Sequence, residues 1–205
     1  MHTAVQHSVV PLIPVAPELE DEQIKGVARE NRRMAFEMVV RKYRDRLFQH
    51  AFYMLRDSQE AFDVTQETFI RAYMEPGLFD ESFRIRSWLF RVLTNLCYNL
   101  TRDKRRRSAI LSLFYPTPRR EAPLALDEMM QREEESGLLK ALDQVPENYR
   151  TILLLKYYDE LSYLEIAEVL GCKLGTVMSR LSRAREKLQN VLDLQSAASA
   201  RAQVV

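Results

Sequence analysis

Apolar residues recur at intervals of three and four over three long stretches of this sequence, and that spacing is the period of an amphipathic helix. The first stretch runs from Met34 to Leu55, the second follows Asp57, and the third runs from Trp88 to Leu100. With only 5 glycines and 8 prolines in 205 residues, few turns are left for a many-stranded protein. The sequence therefore predicts an all-α fold.

The helical patterns fall into two groups with a connector between them. Residues 108–135 contain Pro116, Pro118 and Pro123 and end in acidic residues, a composition typical of an exposed linker. We therefore expect two small helical domains, 25–107 and 136–194, joined by a flexible linker over 108–135. Residues 1–24 are then an N-terminal extension, and residues 195–205 are a tail.

The second helix carries a start signal, a stop signal and an aromatic side. Asp57 and Glu60 are three residues apart, as in a helix N-terminal cap, and Pro76 with Gly77 ends the pattern. Its aromatic residues share one side, which we expect to be the apolar face: Phe62, Phe69 and Tyr73.

The formal net charge of +1 hides a strong segregation of charge along the chain. Residues 102–107 and 173–187 each sum to +4, whereas residues 127–135 between them sum to −4. Either basic cluster alone is more often a solvated face than a binding surface. Two such clusters in one chain favour a polyanionic partner.

Other classes of protein find little support in the sequence. Cys97 and Cys172 are far apart, and the chain has no CxxC motif and only 3 histidines, so neither a metal site nor a disulfide framework is expected. There is no glycine-rich phosphate loop or nucleophile elbow, which argues against an enzyme, and no cofactor is expected. No apolar run approaches the length of a membrane span, and the proline-broken start lacks a basic flank, so we expect a cytoplasmic protein without membrane insertion.

The second domain contains a helix-turn-helix pattern. Ser162 and Glu165 form a capping box, Gly171 ends that helix, and a second helix begins at about Thr176. Its inward positions are apolar: Val177, Leu181, Ala184 and Leu188. The outward positions are Met178, Ser179, Ser182, Arg183 and Lys187. These residue types suit the major groove of DNA. On these residues alone, an ordinary helical hairpin is the alternative interpretation.

Three blocks then occur in the order found in one protein family. They are Asp63-Val-Thr-Gln-Glu-Thr-Phe-Ile-Arg-Ala-Tyr73, Ser87-Trp-Leu-Phe-Arg-Val-Leu-Thr-Asn95 and Gly175-Thr-Val-Met-Ser-Arg-Leu-Ser-Arg-Ala-Arg185. Through them the chain resembles bacterial RNA polymerase sigma factors of the extracytoplasmic-function (ECF) type, in the sigma-70 family, over about residues 24–192. The resemblance implies a region 2-like first domain and a region 4-like second domain that bind core RNA polymerase together, without catalysis.

The resemblance also implies a role for each of several groups of residues. Those that dock on core polymerase are Asp63, Gln66, Glu67 and Arg71. Those that read and open the −10 promoter element are Phe79, Ser82, Phe83, Arg84, Trp88, Arg91, Asn95 and Asn99, followed by the phosphate-gripping Arg102, Lys104, Arg105, Arg106 and Arg107. Those that contact the −35 element are Thr176, Met178, Ser179, Arg180, Ser182, Arg183 and Lys187. Trp88 has a second interpretation, as a core residue whose indole supports its helix.

Two departures from the family pattern bear on promoter preference. Met178 stands where the family often has an arginine or lysine, and the loop from Phe79 to Arg84 lacks the family's frequent glycine. Because the sequence shows no sensor domain, we expect a separate anti-sigma protein as a partner beside core polymerase and promoter DNA, with the free chain monomeric. The alternative is a stand-alone regulator whose helix-turn-helix binds an operator.

Overall fold

The computed structural model describes residues 20–114 and 133–202, so most of the N-terminal extension, the middle of the linker and the last three residues lie outside the described chain. Every regular element in those ranges is helical, which confirms the all-α prediction. The elements are α1 (Asp21–Ala28), α2 (Arg32–Leu55), α3 (Ser58–Met74), α4 (Ile85–Phe114), α5 (Glu133–Gln144), α6 (Glu147–Leu153), a π-helical turn (Leu154–Tyr158), α7 (Tyr163–Leu170) and α8 (Leu174–Ala202).

Side-chain caps set the starts of α2 and α3. The carboxamide oxygen of Asn31 accepts a hydrogen bond from the Met34 N–H at 2.9 Å. One carboxylate oxygen of Asp57 likewise accepts from the Glu60 N–H at 2.9 Å, so the predicted cap of α3 is confirmed. Each cap satisfies one of the backbone donors that the first helical turn leaves without an intrahelical partner.

The inward face of α3 is not the aromatic face predicted from the sequence. Phe62 and Tyr73 are 49% and 58% exposed, and Phe69 is half-buried. The buried positions are instead Ala61, Val64, Thr65, Thr68 and Ala72. Small side chains let α3 approach α2 and α4 closely. The two threonine hydroxyls donate to the carbonyl oxygens one turn earlier at 2.7 Å, which removes the cost of burying them.

Helix α1 was not predicted, and the boundary placed at residue 24 cuts through it. Ile24 is only 1% exposed and belongs to the core of the first domain. Asp21 ties α1 to α2, because its carboxylate accepts from the Tyr43 hydroxyl at 2.7 Å and from the Lys42 ammonium at 2.9 Å. Burial, and then the nearby Asp21 carboxylate, raise the pKa of Tyr43 well above its ordinary value, so the hydroxyl stays protonated as the donor.

Helix α4 runs without a break through the basic cluster. Its 30 residues give a rod about 45 Å long, and it extends to Phe114, beyond the predicted domain end at residue 107. The arginines of the cluster are therefore held at helical spacing on a rigid element.

The helix-turn-helix has the predicted local geometry. The Ser162 hydroxyl accepts from the Glu165 N–H at 3.2 Å, and the Glu165 carboxylate accepts from the Ser162 N–H at 2.8 Å, which confirms the capping box. Gly171 adopts φ +59°, the left-handed conformation that glycine tolerates best, and the Cys172 N–H donates to the Ala167 carbonyl at 3.0 Å. Helix α8 continues to Ala202, so most of the predicted tail is helical.

The two domains pack against each other, chiefly through α4 and α7. Their buried apolar side chains belong to one continuous cluster, and the ring centroids of Tyr53 in α2 and Tyr158 in the π-helical turn lie 4.9 Å apart. Within residues 20–114 and 133–202, no helix combines the length and the apolar character that crossing a bilayer requires.

Candidate nucleic-acid interface

A polar row lies along the outward side of α3. Asp63, Gln66 and Arg71 are exposed, and Glu67 is half-buried. The row is ordered along the helix, because the Arg71 guanidinium donates to the Glu67 carboxylate at 2.8 Å and Gln59 donates to Asp63 at 3.1 Å. All four residues predicted to dock on a partner thus share one accessible surface.

An exposed apolar patch, which the sequence reasoning missed, adjoins this polar row. Ile70 is 58% exposed and Met74 is 73% exposed, and Met34 at the start of α2 is half-exposed. Apolar side chains of this size beside charged ones are typical of a protein-binding surface. The wrong assignment of the apolar face of α3 concealed the patch.

The outward side of α4 carries a second polar row. Arg91, Asn95, Asn99 and Arg102 are exposed at intervals of three and four, and the Arg102 guanidinium donates to the Asn99 carboxamide oxygen at 3.1 Å. Two amides and two guanidinium groups on one face offer donors and acceptors to base edges and charge to phosphates.

The loop before α4 is held at both ends by its aromatic residues. The Phe79 ring lies under the Arg32 guanidinium at 5.3 Å, and the Phe83 ring packs against Trp88 at 5.9 Å between centroids. Trp88 itself is half-buried, in contact with the core. Ser82 and Arg84 are exposed, so the aromatic groups fix the loop while these two side chains face outward.

The basic cluster on α4 is partly neutralised within the chain. All five cations from Arg102 to Arg107 are exposed. Lys104 nevertheless pairs with Glu60 of α3 at 2.6 Å, and Arg105 pairs with Glu147 of α6 at 2.7 Å. The cluster can therefore offer its full charge to a polyanion only if these carboxylates are displaced.

The third polar face belongs to α8. Its exposed residues are Met178, Ser179, Ser182, Arg183 and Lys187, whereas Thr176 and Arg180 are half-buried. Val177, Leu181 and Ala184 are buried on the opposite side, as predicted. The Ser179 hydroxyl donates to the Thr176 carbonyl at 3.2 Å, which leaves its lone pairs free to accept from outside.

The sequence reasoning did not anticipate the ionic contacts between the domains. Arg84 and Arg86 of the first domain pair with Glu168 and Glu165 of α7. His50, deep in α2, contacts Asp159, which follows the π-helical turn. No local sequence pattern predicts such pairs, because the two partners are about 75 to 110 residues apart in the chain.

Two sequence families match the chain over ranges that correspond to its two domains. The family described as Sigma-70 region 2 matches residues 39–107, and the family described as Sigma-70, region 4 matches residues 136–188.

Individual relatives are similar over most of their lengths. The ECF RNA polymerase sigma factor SigW of Bacillus subtilis is 34% identical over 166 residues, which cover 77% of this chain and 89% of SigW. The RNA polymerase sigma-H factor of Pseudomonas aeruginosa is 32% identical over 181 residues, which cover 84% and 94% of the two chains. A stand-alone regulator gains no support from these matches.

Solved structures give the same result for the fold. CnrH, in complex with the cytosolic domain of CnrY, is similar with a TM-score of 0.61 and 26% identity over 85% of this chain and 97% of that one. The sigma factor RpoE of Bartonella quintana, in complex with the anti-sigma factor NepR, has a TM-score of 0.59 and 27% identity, with 77% and 96% of the two chains covered.

Proposed function

The chain belongs to the sigma-70 family, as an ECF-type sigma factor that directs RNA polymerase to promoters, and from this premise we propose how its surfaces divide that task. The main observation that supports this proposal is that α3, α4 and α8 each expose a row of polar residues, while the opposite side of each helix is buried. One row faces polymerase and two face DNA.

The row on α3 docks on core polymerase. Asp63, Gln66, Glu67 and Arg71 supply charge and amide groups, and the adjacent Ile70 and Met74 supply apolar area. A protein partner matches this composition better than DNA does, because a row with two carboxylates repels phosphates and an apolar patch gains nothing from them.

The row on α4 and the loop before it bind the −10 element and stabilise the opened strand. Asn95 and Asn99 offer amide hydrogen bonds to a base taken out of the stack, and the loop adds Ser82 and Arg84. The cations from Arg102 to Arg107 hold the promoter backbone, which contributes affinity independent of sequence.

The α8 face enters the major groove at the −35 element. Ser179, Ser182 and Arg183 are the side chains with base-reading chemistry, and Lys187 lies one turn further along for a phosphate. Met178, 53% exposed, brings an apolar contact in place of a cation, so it suits a thymine methyl group.

A separate anti-sigma protein regulates the chain. The chain itself performs no catalysis, and it acts on polymerase in the cytoplasm. The similarity to RpoE in complex with NepR supports the regulatory partner. The α3 and α8 faces are where an inhibitor would interfere with binding to polymerase and to DNA.

Transcript start mapping tests the division of surfaces. Core polymerase with the purified chain and fragmented host DNA should give new 5′ ends that share two upstream motifs. Arg183→Gln should then reduce initiation and relax the −35 motif. Arg44→Gln is the matched control, because Arg44 is an exposed arginine of α2 outside the three polar rows. Equal loss in the two variants would contradict the assignment of α8.

A further inference from the structure

The loop between α3 and α4, residues 75–84, carries side chains that the proposed function assigns to the −10 element. Ser82 and Arg84 are exposed on it. The backbone hydrogen bonds within the loop are short-range turns, such as the one from the Asp80 N–H to the Gly77 carbonyl at 2.9 Å. Bonds of this kind fix the local course of a loop but not its place on the domain. That place depends on contacts with other elements.

The start of α2 holds the beginning of the loop. The Arg32 guanidinium donates to the Glu75 carbonyl at 2.7 Å and to the Pro76 carbonyl at 3.1 Å. The same guanidinium lies over the Phe79 ring, 5.3 Å from its centroid. A planar group that bridges two successive carbonyls and covers an aromatic ring fixes three positions of the loop at once, a geometry that a lysine ammonium does not reproduce.

Helix α1 holds the middle of the loop. The Lys25 ammonium donates to the Glu81 backbone carbonyl and to the Glu22 carboxylate, each at 2.8 Å. Arg29 donates to the Glu81 carboxylate at 2.7 Å. Lys25 is only 7% exposed, and burying an ammonium costs free energy that an apolar residue at this position would avoid. The buried charge instead fixes the backbone directly before Ser82.

The cations that hold the loop lie before the range matched by the region 2 family. All three precede residue 39, where that match begins. Helix α1 is nevertheless fixed to the first domain, because Ile24 lies in the core and the Asp21 carboxylate accepts from the Tyr43 hydroxyl at 2.7 Å. The helix is therefore a firm support for the loop.

We propose that Lys25, Arg29 and Arg32 are positioning residues for −10 recognition, which hold the loop in the conformation that receives a base of the opened strand. This rests on the proposed −10 role of the loop. A loop that is already rigid in its bound conformation loses little freedom on binding, which increases affinity. Discrimination increases as well, because a fixed loop does not shift to fit the wrong base. Specificity at the −10 element thus depends on residues that do not touch DNA.

Promoter variants test the proposal. Polymerase with each full-length variant is assayed by run-off transcription on a mapped promoter and on versions with one −10 base pair replaced. At the position that the loop reads, we expect about tenfold discrimination by the wild-type chain and about twofold by the double variant Lys25→Met, Arg32→Gln. Discrimination at the −35 element should stay unchanged, because α8 reads it. A merely destabilised first domain would lower initiation from every promoter and leave these ratios as they were.

Arg33→Gln is the matched control for the arginine. Arg33 is the next residue of α2, is exposed, and pairs with Glu37 of the same helix at 3.2 Å. Its substitution should leave −10 discrimination at the wild-type value. Circular dichroism identifies any variant that fails to fold. Because Arg32 is exposed, Arg32→Gln alone decides if the change at Lys25 prevents folding.

A variant of the loop itself separates the positioning role from the proposed function. Ser82→Ala with Arg84→Gln removes the side chains assigned to the base. If this variant and the cation variants relax discrimination at the same −10 position, the proposal is supported. Relaxation by the loop variant alone, or an equal change in Arg33→Gln, overturns the positioning role and leaves the −10 role of the loop standing. If the loop variant relaxes no position, the −10 role is wrong, and the positioning role is wrong as well.

Discussion

Replacing Arg106 by glutamine should lower the salt dependence of promoter binding by a defined amount. Arg106 is exposed on α4 among the cations assigned to DNA phosphates. Each phosphate contact contributes about 0.9 to the slope of log affinity against log salt, through counterion release. Arg106→Gln should therefore reduce the magnitude of the slope by about 0.9 and weaken binding about eightfold at 0.1 M salt.

The assay is fluorescence anisotropy of a labelled promoter fragment, titrated with polymerase containing each variant between about 50 and 300 mM salt. Arg44→Gln is the matched control, because Arg44 is an exposed cation of α2 outside the assigned DNA surfaces. An unchanged slope for Arg106→Gln, or an equal decrease in the control, would mean that the cluster is merely a solvated face.

The same assay applied to Arg105 tests a cation whose charge is already paired, because Arg105 contacts Glu147. Arg105→Gln should reduce the slope by the same amount of about 0.9, since the contact with DNA is lost. Its loss of affinity should be smaller than that of Arg106→Gln, because Arg105 has to leave Glu147 before it binds a phosphate. An unchanged slope would show that Arg105 stays paired with Glu147 when DNA is bound.

Three further predictions concern local chemistry. Ser162→Ala removes the acceptor for the Glu165 N–H and should cost about 1 kcal/mol of unfolding free energy, measured by urea denaturation; no change would deny the cap a role. Burial raises the pKa of the Cys97 thiol to about 12, so at pH 8 a thiol reagent should modify Cys172 first and reach Cys97 only on unfolding, as mass spectrometry would show. Met178→Arg should strengthen binding to −35 DNA severalfold and steepen its salt dependence in anisotropy titrations, whereas unchanged binding would place residue 178 away from DNA.

Local patterns were enough to predict most of the helices and which side of α8 is buried. Short-range contacts form the caps at Asp57 and Ser162 and the turn at Gly171. Each depends on residues within four positions in the chain, so a local pattern is sufficient to predict it. The same holds for α8, where Val177 and Leu181 are buried and Arg183 is exposed.

Predictions that depended on side-chain volume or long-range contact were less successful. The sequence suggested that large aromatic residues face inward on α3, but helices pack most closely through small ones, so Ala61 and Thr68 are buried and Phe62 is exposed. The 8 residues of α1 are too short for periodicity to stand out, and its burial depends on contacts with α2. The His50–Asp159 pair spans 109 positions and leaves no local signal.

The structure adds a second segregation of charge to the one along the sequence, because the carboxylates that face the first domain lie outside residues 127–135. A net charge of +1 would be unusual for a chain that binds a polyanion if all of its charges faced solvent independently. Here the acidic partners lie mainly on one side of the second domain, opposite Arg84, Arg86 and Arg105. The net charge does not depend on how the domains are packed, but packing places these three arginines against carboxylates instead of solvent. Near-neutrality of the whole chain is therefore compatible with a polyanionic partner, because the basic clusters at residues 102–107 and 173–187 are local.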